Sequence, residues 1–401
     1  MKERDGGETP GLYGRLRGAE KENMMSCVYG EKIYTGHSVV DNAYLVFNRH
    51  EIVGLSKTKR ANLIGEFPVL TPAFIDPHSH IGMVRAGEPE VESEANDQLD
   101  TILALSDALD SVQMDDPAFR EAVEMGVLYS CVVPGSANIV GGRSAVIRNY
   151  AKNSTEALIA RAGVKAAFGY NPMSKHGWKG TRPSTRMGAV AVLKKRFDEV
   201  LQKMEKHRKA KGKKKEEVIF SAEEAVLRDV LAGKILLRVH VHKIDDIAVL
   251  LRLVDDYKIK VTVEHAMDVD QPEIFWELRK RKIAVTYGPV DAFAYKVELK
   301  HKNWRNVRHL LDSKVEFGLM TDHPVVPARQ LFLQTRWFTR AGLSKQEAIE
   351  IVSRRNAEIL GISGMLGTLE KGKWASFVCW NGDPFDLTSY PAAVYGEGRL
   401  Q

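Results

Sequence analysis

Eight short apolar runs punctuate this chain, at 69–75, 127–133, 144–149, 164–169, 235–241, 259–264, 283–287 and 315–321. Between and after them lie stretches of helical character, at 116–125, 188–206, 221–231, 245–256, 271–281, 303–312 and 344–359. Strand-length runs that alternate with helix-length stretches leave few architectures open. Where the two alternate, a strand is followed by a helix that can cover a sheet face, the βα unit of a parallel sheet. Roughly 290 residues separate Leu70 from Ile362, the size of a (β/α)8 barrel with insertions. In such a barrel the functional side chains gather at the C-terminal ends of the strands.

Several of these runs end on side chains that bind metals. The first leads into Thr71–His80, TPAFIDPHSH, where His78 and His80 stand one residue apart. Alternate residues of a strand share a face, so the two imidazoles point the same way. Two neutral imidazoles form half of a site that Zn²⁺, Fe²⁺ or Ni²⁺ accepts. Two polar residues at a strand end would show the same spacing. The downstream series decides between these readings, because His240, His265 and Asp322 also close strand-like runs.

Composition narrows the class. Hydrophobic residues make up 44% and charged residues 27% of the chain, an ordinary globular balance. No apolar run reaches the ~18 residues of a membrane span. The first residues lack the apolar core of a signal peptide, so a cytoplasmic location is expected. Three distant cysteines, Cys27, Cys131 and Cys379, argue against a disulfide framework and against a cysteine metal site. The net charge of +6 is outweighed by one run, KMEKHRKAKGKKK at 203–215, with eight Lys or Arg and one Glu. Such a run is a solvated helix end or loop by default. No aromatic platform or recognition module accompanies it, so nucleic acid is not an expected partner.

Residues 1–24 are Gly- and charge-rich, and disorder is expected there. Met24 and Met25 directly precede the first strand-like alternation, which invites the hypothesis of a start codon placed too far upstream. Residues 25–70 read as short strands and turns. In the tail, Gly372–Trp380 reads as a strand followed by an Asn381-Gly382 turn.

The ordered set of His-x-His, His, His and Asp-His-Pro resembles the amidohydrolase superfamily, and within it imidazolonepropionase-related amidohydrolases of unassigned substrate. The resemblance covers roughly residues 26 to 390. It is carried by TPAFIDPHSH (71–80), VVPGSANIVGG (132–142), STRMG (184–188), VEHAMD (263–268), MTDHPVVP (320–327) and LGTLEKGKWASFVCWNGDPF (366–385). It implies a metal-dependent barrel over 71–362, with 25–70 and 363–401 joined in a composite β-sandwich. It also implies a divalent ion, Zn first and Fe next, bound by His78, His80, His240, His265 and Asp322. Asp322 and His265 become the catalytic pair, with Asp322 taking the proton of the activated water. An Asx turn before Pro324 is the alternative role for Asp322. The resemblance further implies a small-molecule substrate, and self-association, because relatives are often oligomeric.

Departures from the family pattern bear on the chemistry. Relatives carry Glu before Asn-Pro on the fourth strand, where this chain reads Gly169-Tyr170-Asn171-Pro172. A neutral phenol is a poor ligand, and Lys165 reads as too deep to serve as a carboxylated lysine. One ion per chain is therefore expected. Lys243 stands three residues after His240, where deaminases and imidazolonepropionase itself carry Glu. Those two activities are accordingly disfavoured. In the sandwich, Ser376 replaces an acidic residue.

Substrate contacts are expected from His242, Arg186, Lys296, Tyr170 and Asn138. The Pro134–Asn138 turn with Gly141-Gly142 could offer backbone N–H groups to an anion, or be a plain tight turn. Arg186 could bind a carboxylate bidentately, or form a structural ion pair. Lys296 and Glu298 lie on a loop past the seventh strand, over the site or merely solvated. Two functions remain in view. One is hydrolysis of a non-peptide carbon–nitrogen bond in a small or cyclic amide, through a metal-activated water. The other, motivated by Tyr170 and Lys243, is a degenerate barrel acting as a binding protein.

Overall fold

The computed structural model describes residues 25–173, 182–210 and 218–401. The expected disorder of 1–24 and part of the basic run at 203–215 lie outside them. The chain opens with β1 (Ser26–Tyr34), β2 (Val39–Phe47), β3 (Ile52–Ser56) and β4 (Asn62–Pro72). There follow β5 (Phe74–Ser79), β6 (Val127–Val132), β7 (Val140–Arg148), β8 (Leu158–Ala167), β9 (Leu237–Val241), β10 (Val261–His265), β11 (Val285–Tyr287) and β12 (Phe317–Leu319). The tail adds β13 (Phe377–Trp380), β14 (Pro391–Gly396) and β15 (Arg399–Leu400).

β5 to β12 form one eight-stranded sheet in chain order, the barrel. The apolar run at 69–75 straddles β4 and β5, where the chain passes from the outer sheet into the barrel. Neighbouring barrel strands pair in parallel except at β7, which is antiparallel to both β6 and β8. The links explain this reversal. Residues 133–139 and 149–157 are shorter than the about a dozen residues that a parallel crossover requires. A hairpin is what such links allow. The alternating pattern expected from sequence therefore holds on both sides of β7 and fails at β7 itself.

β12 and β5 are the two ends of the sheet order, and a broken helix closes the gap between them. Sequence periodicity predicts one helix over 344–359, but two form, Lys345–Glu350 and Arg354–Ile359, with Ser353 at φ −132° and ψ −88° between them. The break frees two carbonyls for the barrel. Ile75 N donates to Val352 O and Leu319 N donates to Ile351 O, each at 2.9 Å. Asn356, wholly buried, donates its amide to Ile75 O at 2.7 Å and Leu319 O at 2.9 Å. Nearer the mouth, Asp322 N donates to His78 O and His80 N donates to His323 O, each at 3.0 Å. These bonds satisfy edge groups that burial would otherwise leave unpaired.

The outer sheet runs β15-β14-β13-β4-β1-β2-β3, so N- and C-terminal segments share it as expected. It is one continuous seven-stranded sheet with its own core of Val28, Leu45, Phe47 and Phe377. Ser376 joins it to the barrel, its hydroxyl 2.7 Å from that of Tyr129. Among the described residues, no helix is long and apolar enough to cross a membrane.

Candidate metal centre

The strand-final side chains converge at the barrel mouth in two groups. One is His78, His80 and Asp322; the other is His240, His242 and His265. Within each group the candidate donor atoms lie within 4.8 Å of one another. The sequence reading placed His240 in one site with His78, His80 and Asp322. The structure instead groups it with His242 and His265, because β9 and β10 are adjacent while Asp322 meets β5 across the seam. The groups still touch, with the His78 and His265 ring centroids 5.0 Å apart.

Hydrogen bonds set the ring orientations. His78 Nδ1–H donates to Glu264 Oε2 and His80 Nδ1–H donates to Val133 O, each at 2.8 Å. His265 Nδ1–H donates to Gly288 O at 3.0 Å. A carbonyl or carboxylate oxygen only accepts, so each neutral ring carries its hydrogen on Nδ1 and a lone pair on Nε2. Two of those Nε2 atoms converge on one carboxylate oxygen. His80 Nε2 is 3.2 Å and His78 Nε2 3.5 Å from Asp322 Oδ1. With neutral rings these atoms are three donors converging on one point, an arrangement that suits a cation.

Protonation states agree. Burial first, then nearby positive charge, pushes His78, His240 and His242 well below the ordinary imidazole range, and burial does the same for His265. All four are therefore neutral, the ligating form. Burial works against ionisation of Asp322; the His265, His80 and His78 rings around it draw its carboxyl well below the usual range only in their protonated form, and with the rings neutral a cation at their Nε2 atoms takes that part. His265 and Asp322 also carry positive φ, 79° and 53°. Such backbone costs about 1–3 kcal/mol per residue and recurs at functional sites.

The second group passes a stringent test for a metal. His240 and His242 are buried, and neither ring nitrogen of either has a hydrogen-bond partner; His265 Nε2 has none either. Buried polar atoms are nearly always satisfied. The donor set fits a divalent ion.

Other predicted residues divide between the cavity and the scaffold. Lys296 lines the mouth, 3.2 Å from Asn171 Oδ1 and 3.3 Å from Glu298 Oε2. Arg186 instead pairs with Asp246 at 2.7 Å. Asn138 donates its amide to Asp97 O and Asp100 O at 2.9 and 2.7 Å, pinning a mouth loop. Tyr170 contributes its backbone N–H, which donates to Glu298 Oε1 at 2.5 Å. The turn at 134–138 does not present a free nest. Gly135 N donates to Ala95 O at 2.6 Å and Ala137 N to Asn96 Oδ1 at 2.8 Å. Lys243 is held by Asp268 at 3.0 Å.

Lys165 corrects an expectation. It reaches the site, its Nζ 3.4 Å from His78 Nε2 and 3.0 Å from Pro134 O, and burial lowers its pKa to about 8. A long stem carries the amine up from a deep position, which residue count along a strand does not reveal. His323 also escaped notice, although it stands inside MTDHPVVP. Its Nδ1 accepts from Ala328 N at 3.2 Å, which leaves the hydrogen on Nε2, and burial lowers its pKa to about 4.

The mouth opens into a cavity of about 660 Å³ lined by His80, His240, Asp322, His323, Lys296 and Arg85 among others. That volume suits a small molecule. Arg85 is already paired, with Glu88 at 2.7 Å and Glu94 at 3.3 Å.

Comparison with known proteins agrees with this architecture. Residues 69–398 match the model of the amidohydrolase family. An amidohydrolase structure from Thermotoga maritima MSB8 is 31% identical, covers 94% of this chain and 99% of its own, and superposes with a TM-score of 0.86. The A. niger ochratoxinase structure shares the fold at 16% identity and a TM-score of 0.56, over 94% of this chain and 95% of its own. Amidohydrolase tasK of Hapsidospora irregularis is 24% identical over 83% of this chain, which spans 36% of that relative's length. The chain belongs to the amidohydrolase family.

Proposed function

We propose that this chain is a metal-dependent hydrolase that cleaves a non-peptide carbon–nitrogen bond in a small or cyclic amide. One observation carries the reading: the Nε2 atoms of His78 and His80 converge on the Asp322 carboxylate, at 3.5 and 3.2 Å. Zinc suits this set of imidazoles and a carboxylate, and Fe²⁺ comes next. When bound, a divalent ion polarises a carbonyl oxygen and acidifies water.

The residues then divide the work. His78 and His80 hold the ion, with their tautomers fixed by Glu264 and Val133. Asp322, kept ionised, accepts the proton of the attacking water and passes it to the leaving nitrogen. His265, whose Nδ1–H is held by Gly288 O, keeps Nε2 as its free nitrogen beside Asp322. His323 Nε2–H and the Lys296 ammonium are the donors available to an oxygen or carboxylate of the substrate.

The test combines metal content with turnover. Protein purified without chelator should retain zinc or iron by elemental analysis and hydrolyse members of a cyclic-amide panel. Asp322→Asn should abolish that hydrolysis. No retained metal, with no activity restored by added metal, would overturn the reading in favour of a binding protein.

A further inference from the structure

We propose that the substrate of the mouth cavity is an uncharged amide bearing an aromatic or other apolar group, and that Tyr295 and Phe293 select that group. The proposal rests on the hydrolase reading above and deepens it, from a type of bond to a class of substrate.

Charge is the first argument. Among the described residues, the Lys and Arg side chains that line the cavity are Arg85, Lys296 and Arg329. Each already has an acid. Arg85 lies 2.7 Å from Glu88 and 3.3 Å from Glu94, and Arg329 lies 2.5 Å from Glu121. Lys296 stands 3.3 Å from Glu298, which is wholly buried. A substrate anion that drew Lys296 away would leave that buried carboxylate uncompensated. An anion leaving water for this cavity therefore finds no spare countercharge on its walls.

The donor that is spare is neutral. His323 is 5% exposed, its Nδ1 accepts from Ala328 N, and its Nε2 has no partner. The Asp116, Glu121 and Asp322 carboxylates lie around that ring. Their field admits the dipole of a neutral oxygen at Nε2–H and repels a second carboxylate.

The loop after β11 supplies the apolar side. Tyr295 lines the same cavity, and its ring meets that of Phe293 edge-on, with centroids 5.5 Å apart. Phe293 is 76% and Val297 73% exposed. Large apolar side chains left bare together mark a binding surface. The stem beneath them is tied down. Val290 N donates to Gln334 Oε1 at 2.8 Å, and Asp291 accepts two bonds from Arg336, at 2.9 and 2.7 Å. A fixed stem thus presents an aromatic tip at the cavity edge.

Matched probes test both halves. N-benzylacetamide and its para-carboxylate analogue share a shape and differ by one charge. Calorimetry on protein purified without chelator gives their dissociation constants without need of turnover. The neutral probe should bind wild type at least about tenfold more tightly, the cost of an anion without a partner. Tyr295→Ala should weaken that probe about two- to tenfold, the worth of an aromatic pair. Glu121→Gln frees Arg329, and should strengthen the carboxylate probe about two- to fivefold, the range of a half-exposed ion pair. A wild type that binds the carboxylate probe as tightly as the neutral one, or binds neither, would overturn the proposal. Probe affinities untouched by Tyr295→Ala and Glu121→Gln would do the same. Amide turnover without the preference refutes this inference alone. The preference without metal or turnover refutes the hydrolase reading alone.

Discussion

Glu264 accepts the Nδ1 hydrogen of His78 at 2.8 Å while its other oxygen pairs with Arg238 at 3.2 Å, and all three side chains are buried. The carboxylate therefore orients a metal-facing ring and neutralises a guanidinium that donates to Pro77 O at 2.9 Å, next to that ring. Glu264→Gln keeps the shape and removes the charge. Breaking one side of a buried pair costs about 3–5 kcal/mol. Loss of an outer-shell partner weakens metal binding about 10–100-fold. Urea unfolding and chelator competition should show both effects, and an unchanged midpoint would refute the pairing.

Asn356 should control the barrel seam. Asn356→Ala leaves the carbonyls of Ile75 and Leu319 without the amide that now serves them. An unsatisfied buried group costs about 1–3 kcal/mol, so a combined loss of about 2–6 kcal/mol is expected for the two. Hydrogen exchange should accelerate in β5 and β12 before β9 and β10. Uniform acceleration across the barrel would count against a local seam.

The helix Ala222–Leu231 carries a pH-dependent cap. Its Glu224 carboxylate accepts from Lys203 Nζ at 2.7 Å and from Ser221 N at 2.8 Å, and these bonds hold its pKa below the ordinary value. A depressed folded pKa stabilises fully above the unfolded value of about 4.3 and is lost as pH falls through the folded one. Glu224→Gln should thus destabilise by about 1 kcal/mol at neutral pH, with the difference from wild type shrinking below about pH 4. A constant difference down to pH 3 would contradict the assignment.

Thiol chemistry should be silent in the native state. Cys27, Cys131 and Cys379 are free and buried. Burial pushes the Cys131 thiol up to about 12 and raises that of Cys379. A thiol reagent at pH 8 should therefore find no reactive equivalent until denaturant is added, when all three cysteines of the chain should react. A fast equivalent in native protein would show that one of these sites opens.

Much of the site was legible because strands end on it. Apolar runs closing on His78, His240, His265 and Asp322 mark both the strands and their functional tips, since the same alternation that builds the barrel aims those side chains at the mouth. What stayed hidden depends on contacts between distant segments. His242 reads as a substrate contact until β9 and β10 bring it beside His265, ring centroids 4.7 Å apart. Arg186 and Asn138 look like substrate contacts until Asp246 and the 97–100 backbone claim them. The reversal at β7 lay in link lengths rather than in the apolar runs. The helix break at Ser353 answers to edges of β5 and β12 that lie far away in the chain.

The reversed strand also constrains how this barrel can diversify. Followed only by the single helical turn Ser154–Ala157, β7 is flanked by the excursion before it. Leu103 N donates to Val140 O at 2.8 Å and Arg143 N to Ser106 O at 2.7 Å, while Ile102 and Asp107 form bridges to β7. The same excursion carries Arg85, Glu88 and Asn96 into the cavity wall. In an ordinary βα barrel, mouth loops vary freely because helices elsewhere shield the strands. Here one segment both shields a strand and shapes the pocket. Changes of substrate preference made within it draw directly on the integrity of the barrel, so adaptation should fall instead on the loop after β11.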